Sequence, residues 1–136
     1  MITCSIGKNE KNTDIVVSSP IKGQITQQYD DQEKHFAVDI AVDEDTPVKA
    51  VADGTVIFTG FTADTGYVIL IEHGQGFTSI YKHNASIYKE QGELVKTGEV
   101  IASAGSTGAF STGAHLHFEL WNDGYPVNPT NYINFD

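Results

Sequence analysis

The stretch Gly113-Ala114-His115-Leu116-His117-Phe118-Glu119-Leu120-Trp121 decides how this chain is read. In an extended strand successive side chains point to opposite faces, so His115, His117, Glu119 and Trp121 share one side. Leu116, Phe118 and Leu120 point the other way, toward an apolar core. Two imidazoles about 6–7 Å apart on one strand face, anchored by a greasy back, can serve a single metal centre. Far upstream, His35-Phe36-Ala37-Val38-Asp39 supplies another His paired with a carboxylate. Together they form a nitrogen and oxygen donor set of the kind zinc prefers.

Working outward, short β-type runs alternate with turn signals from Ser19 onward. Strands are expected near 23–29, 38–42, 48–50, 55–61, 67–72, 77–82, 100–104, 116–121 and 125–127. Pro20, Asp45 to Pro47, Asp53-Gly54, Asp64 to Gly66, Gly74 to Gly76, Gly92, Gly98 and Gly105 to Gly113 separate them. No segment keeps a helical period, which predicts an all-β fold: a compact antiparallel barrel or sandwich. Residues 1–18 are polar and aperiodic and read as a tether, leaving 19–136 as one globular domain. Two segments, 47–56 and 94–101, share the rhythm of biotinyl and lipoyl carrier domains. Those domains present a Lys at a hairpin tip, and the turn Asp53-Gly54 has none.

Eight Lys and no Arg stand against 18 acidic residues, a formal net charge of −10. That balance argues against nucleic acid and against docking on anionic membranes. It also removes the usual bidentate clamp for phosphate or carboxylate groups. The one Cys, Cys4, excludes an internal disulfide. No apolar run is long enough to span a membrane.

His35 and Asp39 are four apart, and a straight strand would separate their Cα atoms by about 13 Å, against zinc bonds of about 2 Å. His35 is therefore expected on a turn or bulge that curls back as the strand begins, with small Ala37 permitting the approach. His35, Asp39 and one His of the 115/117 pair would leave the fourth tetrahedral position open for water, as in catalytic zinc sites. Zinc lowers the pKa of such a water to about 7. The spare His of the pair can accept its proton. His83, in Tyr81-Lys82-His83-Asn84, is a further imidazole, and it shares a face with Tyr81 if its strand stays regular. His73 ends a strand at a glycine turn and reads as structural. This inventory suits metal-assisted amide hydrolysis.

The same residues resemble the lysostaphin-type (LytM-like) zinc metalloendopeptidases of peptidase family M23. The likeness runs from about Ser19 to Ile133 through ordered signatures: Pro20 to Thr26, His35 to Ile40, Ala50 to Val56, Ile69 to Gly74, Tyr81-Lys82-His83, Gly105 to Gly108, Ser111 to Glu119, and Asn128-Pro129. It implies that His35, Asp39 and His117 ligate Zn2+, with His115 as general base. His83 would stabilise the transition state or protonate the leaving amine. The implied fold, of duplicated hybrid-motif type, has a loop-walled groove over the central sheet, and Glu119 is a candidate partner behind the ligands. The implied substrate is a bacterial peptidoglycan peptide, cut in the stem or cross-bridge, which places the protein in the periplasm or cell envelope. Ala37, Ala114 and Tyr67 stand where the family usually has Gly, Pro and Asn, and the loop from Tyr29 to His35 lacks a frequent Arg.

A non-catalytic zinc-bound scaffold or activator is the competing expectation, since some family members have lost catalytic residues. A scaffold has no physical reason to keep His83 and His115. A phosphocarrier of related β-architecture would leave the His-x-His pair unexplained. Peptidoglycan carries carboxylates of its own, so a net −10 gives no long-range attraction and binding must depend on local contacts in the groove.

Overall fold

The computed structural model describes residues 17–107 and 113–135. Most of the expected tether, and Gly108, Ser111 and Thr112 of the signatures above, lie outside the described residues. Ten strands make one antiparallel sheet: β1 (Gln24–Gln27), β2 (Val38–Ala41), β3 (Pro47–Lys49), β4 (Gly54–Thr62), β5 (Gly66–Glu72), β6 (Phe77–Ile87), β7 (Leu94–Val95), β8 (Val100–Ala104), β9 (His115–Asn122) and β10 (Tyr125–Val127). A 3-10 turn at Pro129–Asn131 follows, and there is no α-helix among the described residues. None of their helices is long and apolar enough to cross a membrane.

The main path runs β1-β2-β9-β6-β5-β4-β7 and does not close, so of the two expected forms the barrel is excluded. β10 continues alongside β9, while β3 and β8 pair and join the second half of β6. Strand β9 is central: β2 lies on one side and β6 on the other. Its alternation is as read from sequence, with Leu116, Phe118 and Leu120 buried and His115, His117 and Glu119 partly open. The apolar faces of β2, β5, β6 and β9 meet Val48, Val51, Ile101 and Ala102 in one core that also takes in Ile133.

Strand β6 departs from expectation. It runs to Ile87 rather than ending near Lys82, and its register breaks against both β5 and β8 around Asn84. His83 sits at the break with φ of 68°, a left-handed conformation uncommon for a non-glycine residue. The regular part buries Phe77, Ser79 and Tyr81. Tyr81 points into the core, where its hydroxyl accepts from Val51 N–H and its burial pushes the phenol up to about 12. His83 does not follow it there. The extra residue of the bulge turns the imidazole to the outer face, beside His115 and His117.

Two residues read as tether already touch the domain: Val17 packs against the core, and Ser18 N–H donates to Val51 O. The strand Leu94–Val95 is too short to show a period, which is why it was not expected; it pairs with Gly54 and Thr55.

Candidate metal centre and flanking imidazoles

Register places the first part of the site. Asp39 on β2 and Lys82 on β6 both stand directly opposite His117 on β9, so the three share the outer face. His35 reaches that face from a tight turn, as the spacing argument requires. Asp30 and His35 exchange backbone hydrogen bonds of 2.8 and 2.9 Å, Lys34 takes φ of 60°, and the Asp30 carboxylate caps the N–H groups of Gln32 and Glu33. Ala37, buried at 1% exposure, lets the chain pass from this turn into β2.

His35, Asp39 and His117 offer donor atoms that all lie within 4.8 Å of one another. His35 Nε2 is 3.1 Å from Asp39 Oδ2, and His117 Nδ1 is 2.8 Å from Asp39 Oδ1. The outer hydrogen bonds fix which ring nitrogen carries the proton. His35 Nδ1 lies 2.8 Å from Gln28 O, and a carbonyl can only accept, so Nδ1 is the N–H. His117 Nε2 lies 3.0 Å from a Glu119 carboxylate oxygen and donates there. In its neutral form each imidazole therefore carries its proton on the outer nitrogen and turns a lone pair toward Asp39.

Three acceptors facing one another call for a cation. Asp39 Oδ1 is buried and has no hydrogen-bond partner among the described residues despite its short distance to His117 Nδ1. The donor set is one carboxylate and two neutral imidazoles with both outer nitrogens already engaged, which is the chemistry zinc takes. Without a metal, a proton on the inner nitrogen of His117 or His35 takes the cation's place: burial acts to raise the Asp39 carboxyl, but the hydrogen bonds and charge of these rings, His117 first, outweigh it and hold the group below the usual carboxylate range. It is ionised at neutral pH, as a metal ligand would have to be.

Glu119 is the hub behind this set. Besides His117 it accepts from Lys82 Nζ at 2.8 Å and from Trp121 Nε1 at 2.9 Å. Burial works against its ionisation, yet the bonds from His117, Lys82 and Trp121 prevail and hold its carboxyl down at about 2. The same contacts act on His117: burial lowers it, and Asp39 and Glu119 more than compensate, raising the imidazole above its ordinary value.

His115 and His83 form the other half of the site, with ring centroids 4.9 Å apart. His115 Nδ1 lies 2.9 Å from Gly113 O, and His83 Nδ1 lies 2.7 Å from Thr107 O. Both therefore carry the proton on Nδ1 and present Nε2. Burial pushes the His83 imidazole down; the bond to Thr107 opposes this, and the neighbouring His115 and His117 add to the lowering, so His83 is neutral at pH 7. Its backbone N–H is held by Thr65 O at 2.8 Å, and Thr107 is tied by its hydroxyl to Asn84 O and Tyr67 N–H.

His73 is remote from this cluster and structural, as read from sequence. It is buried beneath the sheet, with Nδ1 2.7 Å from Asp53 O and Nε2 2.7 Å from Ser79 Oγ. The sequence reading did not single out Lys82, nor the carbonyls of Gln28 and Thr107. The carbonyls leave no mark on a sequence. Lys82 was within reach, because Ile80 and Thr78 alternate with the buried face of β6 and put it on the outer side.

An open all-β domain thus carries a convergent His–Asp–His donor set, a candidate metal site, on the outer face of its sheet. The chain belongs to peptidase family M23, whose sequence profile matches residues 33–129. It is 43% identical over 95 residues to the DD-carboxypeptidase/endopeptidase Mpg of Neisseria meningitidis serogroup B, covering 70% of this chain and 22% of that protein. Over 118 residues it is 34% identical to the murein hydrolase activator EnvC of Escherichia coli, covering 84% of this chain and 28% of that one. A crystal structure of a zinc-containing peptidase from Vibrio cholerae superposes with a TM-score of 0.79 at 32% identity, over 83% of this chain and 39% of that one. The chain thus spans between a fifth and a third of the length of the curated relatives it matches.

Proposed function

We propose that this chain is a zinc-dependent endopeptidase domain that hydrolyses an amide of bacterial peptidoglycan, in the stem peptide or the cross-bridge, in the cell envelope. The observation that carries this reading is the division among the outer-face imidazoles. The neutral forms of His35 and His117 turn lone pairs onto Asp39, while His115 and His83 stand beside them with Nδ1 held by a carbonyl and no bond to Nε2 among the described residues. Zinc held by His35, Asp39 and His117 would supply Lewis acidity, making a water nucleophilic near neutral pH and polarising the scissile carbonyl. His115 Nε2 is the base that takes the proton of the attacking water. His83 begins neutral, so it gives a proton to the departing amine only after receiving one, and the His115 ring 4.9 Å away is placed to pass it. The Gly113 and Thr107 carbonyls support both steps by stabilising each imidazolium through Nδ1–H.

The likeness to a murein hydrolase activator favours a second reading, in which the domain binds wall peptide or a partner hydrolase without cleaving anything. Purified zinc-loaded protein incubated with peptidoglycan sacculi, with released fragments identified by mass spectrometry, separates the two. The enzyme reading expects new fragments that vanish with His115→Ala and with a chelator. Absence of fragments from sacculi of several cross-link chemistries, with zinc bound, would select the activator.

A further inference from the structure

Among the strands that carry the site, β2, β6 and β9, only one bears a cation: Lys82. It stands opposite His117 in the ladder, on the same outer face, with its side chain 26% exposed. Its one described bond is to Glu119 Oε2 at 2.8 Å, which uses one of the three ammonium protons. Glu119 is engaged by His117, Trp121 and Lys82, so it holds the ammonium on the outer face of the sheet, with two N–H groups unused among the described residues. Away from the metal position the chain offers anions little. The chain carries a net −10 and no Arg, and the turn leading to His35 adds Asp30, Asp31 and Glu33. Lys34, on that turn, has these acids as neighbours, whereas Lys82 stands directly opposite His117 in the ladder.

We propose that Lys82 is the anchor for a carboxylate of the peptide substrate. This rests on the reading of the site as peptidoglycan-directed and narrows it. The substrate class becomes a stem peptide bearing a free carboxylate close to the scissile amide, rather than an uncharged glycine bridge. A built-in cation at this point supplies locally the attraction that the acidic surface denies at a distance, and it selects the peptide by charge-assisted hydrogen bonds. Lys82 acts here as a binding and specificity residue.

The test is a pair of synthetic stem peptides identical except that one carries a free carboxylate and the other its amide. Their Kd values on the zinc-loaded full chain are compared by calorimetry, with pentaglycine as a third ligand. The wild type is expected to favour the free carboxylate about tenfold, roughly 1.4 kcal/mol. Lys82→Met should bring that ratio toward one with zinc stoichiometry intact, and Lys82→Arg should keep most of it. A purely structural role for Lys82 would weaken both peptides alike and leave the ratio unchanged. The proposal is overturned if the ratio survives in Lys82→Met, if the wild type shows no preference, or if neither stem peptide binds. Hydrolysis is scored separately on the same samples: a carboxylate preference without cleavage would keep Lys82 as the anchor while overturning the endopeptidase reading.

Discussion

The two halves of the site are built by different means. His117 and Asp39 are fixed by regular antiparallel register, one directly opposite the other on β9 and β2. His83 is fixed by a break in register, a left-handed φ of 68°, and carbonyls from two other parts of the chain, Thr65 and Thr107. A ladder holds its side chains through many backbone bonds that no single substitution removes. A bulge at a non-glycine residue costs of order 1–3 kcal/mol and persists only because its surroundings over-determine it. The metal half should therefore withstand loss of the chemistry half, while the chemistry half should respond to changes in the segments that brace it.

Removing an imidazole from the braced half sharpens this contrast most. His115→Ala and His83→Ala should each lower turnover by roughly 10²–10⁴-fold, the usual worth of a positioned acid or base, with the folded state intact by circular dichroism. Wild-type turnover in either variant would remove that side chain from the reaction. Next in size is Glu119→Gln, which keeps the shape but weakens acceptance from His117 Nε2–H and abandons the charge facing Lys82. Zinc affinity should fall about 10–100-fold in competition with a chromophoric chelator.

A smaller effect probes the brace itself. Gly66 has φ of 63°, and a Cβ there would stand 2.5 Å from the Thr107 carbonyl carbon. Gly66→Ala should cost about 1–3 kcal/mol in urea unfolding and displace Thr107 from His83, lowering turnover while one zinc stays bound. The smallest effect lies away from both halves. Burial holds the His73 imidazole below 6.5, against the opposing bond to Asp53. The unfolded chain then takes up a proton that the folded one resists, so stability is fully present above about pH 6.5 and falls as the pH drops below it. Unfolding midpoints of the metal-free protein across that window should fall more steeply for wild type than for His73→Gln.

The same contrast explains what could be read without coordinates. Period-two alternation put His115, His117 and Glu119 on one face and Leu116, Phe118 and Leu120 on the other, and the structure has them so. The misfit between a four-residue spacing and a zinc bond placed His35 on a turn, and Lys34 and the Asp30–His35 pairing make that turn. Alternation failed at Tyr81 and His83, because a bulge inserts a residue and shifts the phase of everything after it. Nothing in Tyr81-Lys82-His83-Asn84 marks the shift; it arises from tertiary partners at Thr65 and Thr107. Residue chemistry alone also left His115 and His117 interchangeable. In the structure the backbone bond of His115 and the Glu119 bond of His117 distinguish them.

Zinc content of five single-alanine variants tests the division of labour most directly. His35→Ala, Asp39→Ala, His117→Ala, His83→Ala and His115→Ala would be purified identically, equilibrated with buffered zinc and assayed by elemental mass spectrometry. That division predicts about one zinc per chain for His83→Ala and His115→Ala, as for wild type, and loss of the metal in the other three. Loss of zinc from His83→Ala or His115→Ala, or full retention in His35→Ala, Asp39→Ala or His117→Ala, would contradict it.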